Sequence, residues 1–331
     1  MSTQPLPNEI TIFWQNDAGQ TADVAVVVVI PTFKRPDHLA ITLNSVLAQE
    51  TQIPFAIIVM DNHPEGSEGA AAARAVLEPL SVPATVILAH RRGNCAAYNA
   101  GFHTALSTYV NATHIAIIDD DEIARPNWLG SLMATATATG ATFTGAPQYP
   151  IFDGRADTKW HNHPVFRPPY ASSGPVPIIY SSGNVAIQTD LLRRHGHPWL
   201  DERFNFLGGG DSDFYARCKQ QGATFAWCAE AIVDETTPTR RTELSWLNSR
   251  SLRNGSISAL IQKRAAATAS HTIKRWLKSL ILLVASPYRS FILFVKTGSP
   301  IIALNPMNVA LGRLLMEFGF ANEQYKAAEK N

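Results

Sequence analysis

Ile115-Ala116-Ile117-Ile118-Asp119-Asp120-Asp121-Glu122 is the stretch on which the reading of the chain turns. Four apolar residues, three of them β-branched, spell a buried strand, and the run then breaks into four consecutive carboxylates that an apolar core could not hold unpaired. The carboxylates therefore belong at the strand's exit. In open α/β sheets ligands bind outside the carboxyl ends of the strands, and clustered acidic oxygens there suit a hard divalent cation shared with substrate phosphates. A solvated acidic turn is the plain alternative, so the neighbouring sequence has to decide.

Upstream, residues 25–30 form a continuous β-branched run that stops at Pro31-Thr32, the pattern of a central parallel strand covered on both faces. From Pro36, the spacing of Leu39, Leu43, Val46 and Leu47 predicts a helix, with Asp37 in its first turn. The alternation then repeats: a strand over 55–60 ending in Asp61-Asn62, a helix over 70–80, a strand over 85–89, a helix over 94–106, and the strand 115–118. Strands alternating with helices predict a mainly parallel, right-handed α/β sheet whose strand ends deliver polar residues to one edge. Pro31, Asp61 and Asp119 to Asp121 should share a crevice there.

Composition narrows the function class. The 331 residues carry 28 Lys and Arg against 27 Asp and Glu, which disfavours nucleic acid as the main partner. Cys95, Cys218 and Cys228 are odd in number and lack Cys-x-x-Cys spacing, so neither a disulfide framework nor a zinc knuckle is implied and a reducing cytosol fits. Residues 1–23 are mixed polar around an isolated Ile-Thr-Ile-Phe-Trp patch, without the pattern of an export signal.

After a helix over 128–139 the character changes. Residues 147–177 are rich in Pro, aromatic residues and His, and are expected to be irregular and functional. A strand over 178–187 is interrupted by Ser182-Gly183-Asn184, where glycine lets backbone approach a ligand. Gly208-Gly209-Gly210-Asp211-Ser212-Asp213 then precedes a helix over 214–221 and can present a carboxylate at its N-terminus. A strand over 224–233 should end in Asp234-Glu235, followed by a loop with Arg240 and Arg241, forked donors suited to a diphosphate. Residues 244–264 read as a basic amphipathic helix. The apolar stretch 276–295 is broken by Ser286-Pro287 and Arg289, so neither half reaches the ~20 residues that span a bilayer. With Lys274, Arg275, Lys278 and Lys296 flanking it, a helix pair lying on an anionic leaflet is expected, against a hairpin packed on the core or a homodimer partner. His161-Asn-His163 is not spaced as a metal pair and reads as acceptor-facing polar surface.

Together, Val29-Ile30-Pro31-Thr32-Phe33-Lys34-Arg35-Pro36, Asp61-Asn62, Asn99-Ala100-Gly101, the Asp119 cluster, Ser182-Gly183-Asn184 and Gly209-Gly210-Asp211-Ser212-Asp213-Phe214 resemble the family 2 glycosyltransferases of GT-A fold. Residues 230–241, Trp246-Leu247 and the closing residues 317–325 look like the bacterial exopolysaccharide, succinoglycan-type branch. The resemblance implies a GT-A domain over 24–243, after an N-terminal segment 1–23, and a C-terminal helical, membrane-associating region over 244–331. It implies transfer of a hexose from a nucleotide sugar, UDP-linked by expectation, to a lipid-linked saccharide or polysaccharide acceptor, by an enzyme peripheral to the cytoplasmic face of the cell membrane.

It also implies roles. Pro31, Thr32, Arg35, Asp61, Arg92, Asp119, Asp120, Arg240 and Arg241 would bind the nucleotide, with Asp61 accepting from the uracil. Asp121 and Glu235 would hold Mn²⁺ or Mg²⁺, and Asp211 would be the catalytic base, with Asp213 its runner-up. Gly183, Asn184, Trp199, Gly209 and Gly210 would face sugar or acceptor. Two positions depart from the pattern: Gly210 stands where a Glu is usual, and Tyr98 where an Arg or Lys is usual, with Arg91 or Arg92 as substitutes. Two rivals remain, a sugar-phosphate nucleotidyltransferase and a catalytically silent glycan- or nucleotide-binding subunit. A dehydrogenase lacks its Gly-x-Gly-x-x-Gly after the first strand.

Overall fold

The computed structural model describes residues 9–16, 23–152, 158–265 and 268–320; residues 321–325 of the closing motif lie outside the described residues. In chain order the first elements are β1 (Ile10–Gln15), β2 (Val26–Thr32), α1 (Pro36–Leu47), β3 (Phe55–Asp61), α2 (Glu68–Leu77), β4 (Ala84–Ala89), α3 (Asn94–Thr108), β5 (His114–Ile118), β6 (Glu122–Ala124) and α4 (Trp128–Thr139). Then come β7 (Phe143–Gly145), β8 (Gln148–Phe152), β9 (Gly174–Val176), β10 (Asn184–Gln188), α5 (Thr189–His195), α6 (Gly210–Gln220), β11 (Phe225–Trp227) and β12 (Val233–Thr237). Four helices close the described chain: α7 (Leu244–Ala265), α8 (Ala269–Thr297), α9 (Pro300–Ala303) and α10 (Asn305–Glu317). The chain divides into two compact units, the first drawn from Met1–Gln148, Pro169–Asn205 and Gly210–Glu235, the second from Tyr149–Pro168, Phe206–Gly209 and Thr236–Asn331.

The first unit is built on a sheet of order β1-β4-β3-β2-β5-β10-β7-β11-β9. β4, β3, β2 and β5 run parallel, as the strand-helix alternation predicts. Val26, Val28 and Ile30 face a core shared with Leu39 and Leu43 of α1, Ala70 and Leu77 of α2, and Leu129 and Leu132 of α4. The opposite face takes α3, whose Gly101 sits against the Met60 side chain. Both faces are covered, which is why β2 reads as an unbroken apolar run rather than an alternating one. The Ile-Thr-Ile-Phe-Trp patch is an antiparallel edge strand, β1, paired on β4.

From β2 the chain steps through β3 to β4 on one side, then crosses through α3 to place β5 on the other side of β2. The strand order reverses between β2 and β5, and a ligand crevice forms outside the carboxyl ends at such a switch. The acidic stretch leaves β5 at that point.

Two strand expectations change. The strand predicted over 178–187 begins only at Asn184, which pairs antiparallel with Ile118, so Ser182 and Gly183 are left beside the acidic exit. The strand predicted over 224–233 is two strands: β11 joins the large sheet, whereas β12 pairs with β6 in the register Val233↔Ala124 and Glu235↔Glu122. Glu235 thus lies within a strand, opposite Glu122.

In the second unit α7 and α10 approach until side chains must vanish between them. A Cβ on Gly312 would fall on the Leu252 carbonyl and one on Gly255 on the Val309 carbonyl, while Ser256 Oγ donates to the Gly312 carbonyl at 2.9 Å. Gly312→Leu is expected to lower stability by about 3 kcal/mol, the upper range for overpacking, read as a loss of urea midpoint. His163 is 1% exposed and its Nδ1 accepts from the Val165 N–H, so it is not polar surface as the sequence suggested. Burial pushes its imidazolium down to about 4. Below an unfolded value near 6.5 the unfolded chain takes a proton the folded one refuses, so stability falls as pH drops towards 4. Between pH 7 and pH 5 the loss should be about 2 kcal/mol larger than in His163→Asn, by urea titration.

The helix pair expected over 276–295 is a correction: α8 is one continuous helix of 29 residues with Pro287 inside it. Proline removes a donor to the Leu283 carbonyl, but Ser286 Oγ donates to that carbonyl at 2.8 Å, so the helix survives.

Candidate active site

The switch point is held together by groups from β2, α1 and the acidic turn. Thr32 Oγ1 donates to Asp120 Oδ2 at 2.8 Å, and Arg35 Nη1 reaches Asp121 Oδ2 at 2.8 Å and Asp120 Oδ1 at 3.3 Å. From α1, Thr42 Oγ1 ties the Asp120 and Glu122 carbonyls. The turn is fixed by its own backbone as much as by its charges.

Asp119 lies partly buried beneath it. Tyr98 Oη donates to Asp119 Oδ1 at 2.5 Å, and Glu122, fully buried, accepts the Asp119 N–H at 2.9 Å and a hydrogen bond from Gln148. Burial, then the Asp121, Asp120 and Glu235 charges, push Asp119 up to about 7, while the Tyr98 hydrogen bond opposes the shift. Asp120 is pushed up to about 6 by burial, against the pull of Arg35. Burial and Asp119 likewise hold Glu122 well above the usual carboxylate range. This crowding of hard oxygens is the chemistry a divalent cation relieves, and the donor set fits Mn²⁺ or Mg²⁺. Among the described residues, no three His, Cys, Asp or Glu side chains are already gathered around one metal position. Gly183 forms the opposite wall: a Cβ there would lie 2.6 Å from Glu122 Oε1 and 2.8 Å from Asp119 Oδ2. Any larger residue would press on Gln148 and on both carboxylates.

Asp211 and Asp213 fall in the first turn of α6, which starts at Gly210, four residues earlier than predicted. They differ in environment. Asp213 is 2% exposed and its Oδ2 is bound by Arg217 at 2.9 Å, whereas Asp211 is half-buried. Tyr215, fully buried with its hydroxyl donating to the Ser181 carbonyl at 2.9 Å, is pushed up by burial and by the charges of both Asp211 and Asp119. The two carboxylates therefore act on one buried ring.

Gly210 is a glycine for a packing reason. A Cβ at this position would run into Cys95 Sγ. Gly210→Glu is therefore expected to lower the melting temperature by about 5 °C or more, and Cys95→Gly in the same chain to restore most of it; a Gly210→Glu protein with unchanged melting would show that the sulfur yields freely.

Several expected contacts are occupied by the frame. Asp61 is 1% exposed, its two oxygens accepting the His63 and Ala70 N–H groups at 2.9 and 2.8 Å, so it anchors the loop into α2. Asn62 holds the β4–α3 turn through the Ala89 and Arg91 carbonyls and the Gly93 N–H. Asn184 is buried, donating to the Pro147 and Ala231 carbonyls and accepting from Trp128 Nε1. Trp199 is buried with Nε1 donating to the Leu192 carbonyl and its ring edge-on to Phe102. Neither Asn184 nor Trp199 presents its polar group to a ligand. Arg91 pairs with Glu9 and Glu202, while Arg92 lies over the Phe33 ring at 5.2 Å, with His63 edge-on to it at 5.6 Å.

Glu122, Gln148, Tyr215 and Phe33 were not singled out in sequence. Glu122 ended the acidic stretch, but nothing in its spacing announced a buried side chain folded back on the Asp119 N–H. Gly209 has a positive φ of 86° and belongs to the second unit. Arg240 and Arg241 are in that unit too, on a short 3₁₀ turn; Arg241 and Arg250 each stand 5.9 Å from the Trp246 ring.

Residues 27–200 match the model of the glycosyl transferase family 2 domain, and the chain is 30% identical over 235 residues to the succinoglycan biosynthesis protein ExoM of Rhizobium meliloti (strain 1021), covering 68% of this chain and 71% of that one. The chain belongs to glycosyltransferase family 2. Solved structures agree on the GT-A fold. The mannosyltransferase PcManGT from Pyrobaculum calidifontis, in complex with GDP-Man and Mn²⁺, superposes with a TM-score of 0.55 at 15% identity, covering 89% of this chain and 87% of its own. GalNAc-T7 with UDP, GalNAc and Mn²⁺ gives 0.50 at 16%, over 65% of this chain and 44% of that one. This family 2 glycosyltransferase is an enzyme, and in it Tyr98 clamps Asp119 while Gly210 makes room for Cys95.

Proposed function

We propose that this glycosyltransferase moves a hexose from a UDP-sugar to a lipid-linked saccharide or growing polysaccharide, at the cytoplasmic face of the cell membrane, with inversion at the anomeric carbon. The observation that carries the reading is the contrast between the two aspartates of α6. Asp213 is sealed by Arg217, while Asp211 keeps exposed surface and shares a buried neighbour with Asp119. Asp211 takes the proton of the acceptor hydroxyl as that oxygen attacks the anomeric carbon, and UDP departs from the opposite face in a single displacement. Asp121 and Glu235 would hold a divalent cation, which supplies charge neutralisation for the departing diphosphate.

Pro31 and Thr32 line the nucleotide pocket, with Asp119 and Asp120 towards ribose and metal. Arg35, carried on the same turn, would meet the diphosphate. Asp61 serves the base through the loop it anchors, next to Phe33 and Arg92. Gly183 brings bare backbone against the acidic turn, and the sugar would lie beside it. The succinoglycan relative supports an exopolysaccharide product, and a long apolar helix, α8, supports a membrane location.

The test is product analysis with purified protein, Mn²⁺ and a panel of nucleotide sugars. UDP release with an inverted anomer in the NMR spectrum is expected. Pyrophosphate release would instead indicate a nucleotidyltransferase, and no turnover of any donor a silent binding subunit.

A further inference from the structure

α8 is an amphipathic helix turned inside out. Its buried residues are Arg275, Ser279, Ser286 and Ser290. The large apolar side chains point outwards: Ile273, Leu277, Val284 at 81% exposure, Tyr288, Phe291 at 64% and Val295. At about 100° per residue these fall on one stripe, with the buried polar residues on the opposite side. Lys274, Lys278, Arg289 and Lys296 are all exposed and all fall along one border of the stripe. Residues 244–316 contain ten Lys and Arg and no Asp or Glu.

We propose that this stripe lies in the plane of an anionic lipid surface, its apolar side chains immersed and its cationic border at the headgroups. Apolar burial and attraction to anionic lipids are the two terms that bind such a helix, and lysine stems reach from the stripe to the headgroup level. The length and composition of α8 would equally allow it to cross a bilayer. The inner face forbids crossing. Arg275 Nε is bound to the buried Glu317 carboxylate at 2.9 Å, Ser279 Oγ reaches Glu317 at 3.3 Å, and Arg313 donates to Ser279. A spanning α8 would either drag this ion pair and α10 into hydrocarbon or leave Glu317 buried and unpaired. A second copy of the chain fits the stripe less well, because no acidic residue between 244 and 316 is there to meet the partner's cationic border.

The inference deepens the membrane location proposed above and rests on it for the source of the lipid, but not for the chemistry. The test is flotation of the full chain with vesicles of phosphatidylcholine containing 30 mol% phosphatidylglycerol, and with phosphatidylcholine alone, alongside donor hydrolysis in the same samples. Partitioning to the anionic vesicles should exceed that to the neutral ones by about tenfold or more, as ~1 kcal/mol per cation implies. Val284→Glu and Phe291→Glu should each lower it by about tenfold with donor hydrolysis unchanged. With Ser270→Cys and Lys296→Cys, both thiols should be labelled by an impermeant maleimide from the outside of sealed vesicles, since the three native cysteines are buried. Equal binding to neutral vesicles, or no binding, overturns the proposal, and protection of one labelled end would make α8 a spanning helix. Glutamate variants that turn a dimer into a monomer without changing flotation would assign the stripe to a second copy. Flotation without donor hydrolysis leaves the surface assignment standing and removes the enzymatic reading.

Discussion

Asp211→Asn is expected to bind donor as the unaltered protein does and to transfer sugar about 100-fold more slowly or worse, the lower range for loss of a positioned general base. The amide keeps the size and most of the hydrogen bonding of the carboxylate but cannot take a proton. Asp211 stands in the first turn of α6 and is half-buried, so the substitution should cost little stability. Asp213→Asn is the necessary contrast. Its carboxylate is buried against Arg217, a partly exposed guanidinium that also donates to the Trp199 carbonyl. That variant should lose stability of about 1 kcal/mol, because the guanidinium is partly exposed and keeps the Trp199 carbonyl, yet turn over normally below its melting temperature. Calorimetry with UDP, single-turnover transfer and thermal unfolding on the two proteins separate the roles. Near-normal turnover in Asp211→Asn would move the base to Asp213.

How much of this was visible in the sequence follows from which interactions are local. The strands β2 to β5 and the helices between them could be read because each buries a periodic or continuous apolar face that its own residues spell out. Sites at strand ends were legible for the same reason: a carboxylate cannot continue a buried run, so Asp61 and Asp119 had to lie at an exit. What the side chains do there was not legible. Asp61 and Asp119 look alike in sequence, but one caps a loop through the His63 and Ala70 N–H groups and the other is clamped by a tyrosine from α3, and each assignment needs a partner that is distant in the chain. The continuity of α8 was misread for a similar reason, since proline's missing donor predicts a break and the rescue by Ser286 is a matter of rotamer. Its orientation was expected from the flanking cations, with packing on the core or a partner as the alternatives. Amphipathicity shows that a helix has two faces, and only packing against Glu317 and Arg313 shows that the polar one is inside.

Asp121→Ala should abolish the dependence of donor binding on Mn²⁺, lowering UDP affinity by about 100-fold to the value found in chelator; losses of 10- to 100-fold are typical even for groups that only support a metal ligand. The structure gives a reason to expect so large an effect from a partly exposed residue. Asp119 is tied to Tyr98 and Glu122 is folded onto the Asp119 N–H, whereas Asp120 is shared between Thr32 and Arg35. Asp121 has the Arg35 guanidinium at 2.8 Å, a cation already resting where a stronger one would bind. Exchange of one for the other would need no rearrangement of the strand, and it would free Arg35 to meet the anionic nucleotide. Alanine removes the exchange and leaves Arg35 on Asp120. Arg35→Lys, in contrast, should weaken UDP binding while preserving its response to Mn²⁺, because a lysine offers charge but no fork. Calorimetric titration of UDP into both variants with Mn²⁺ and with chelator reads the two effects apart; an Asp121→Ala protein whose UDP affinity in Mn²⁺ is unchanged would take the metal away from this turn.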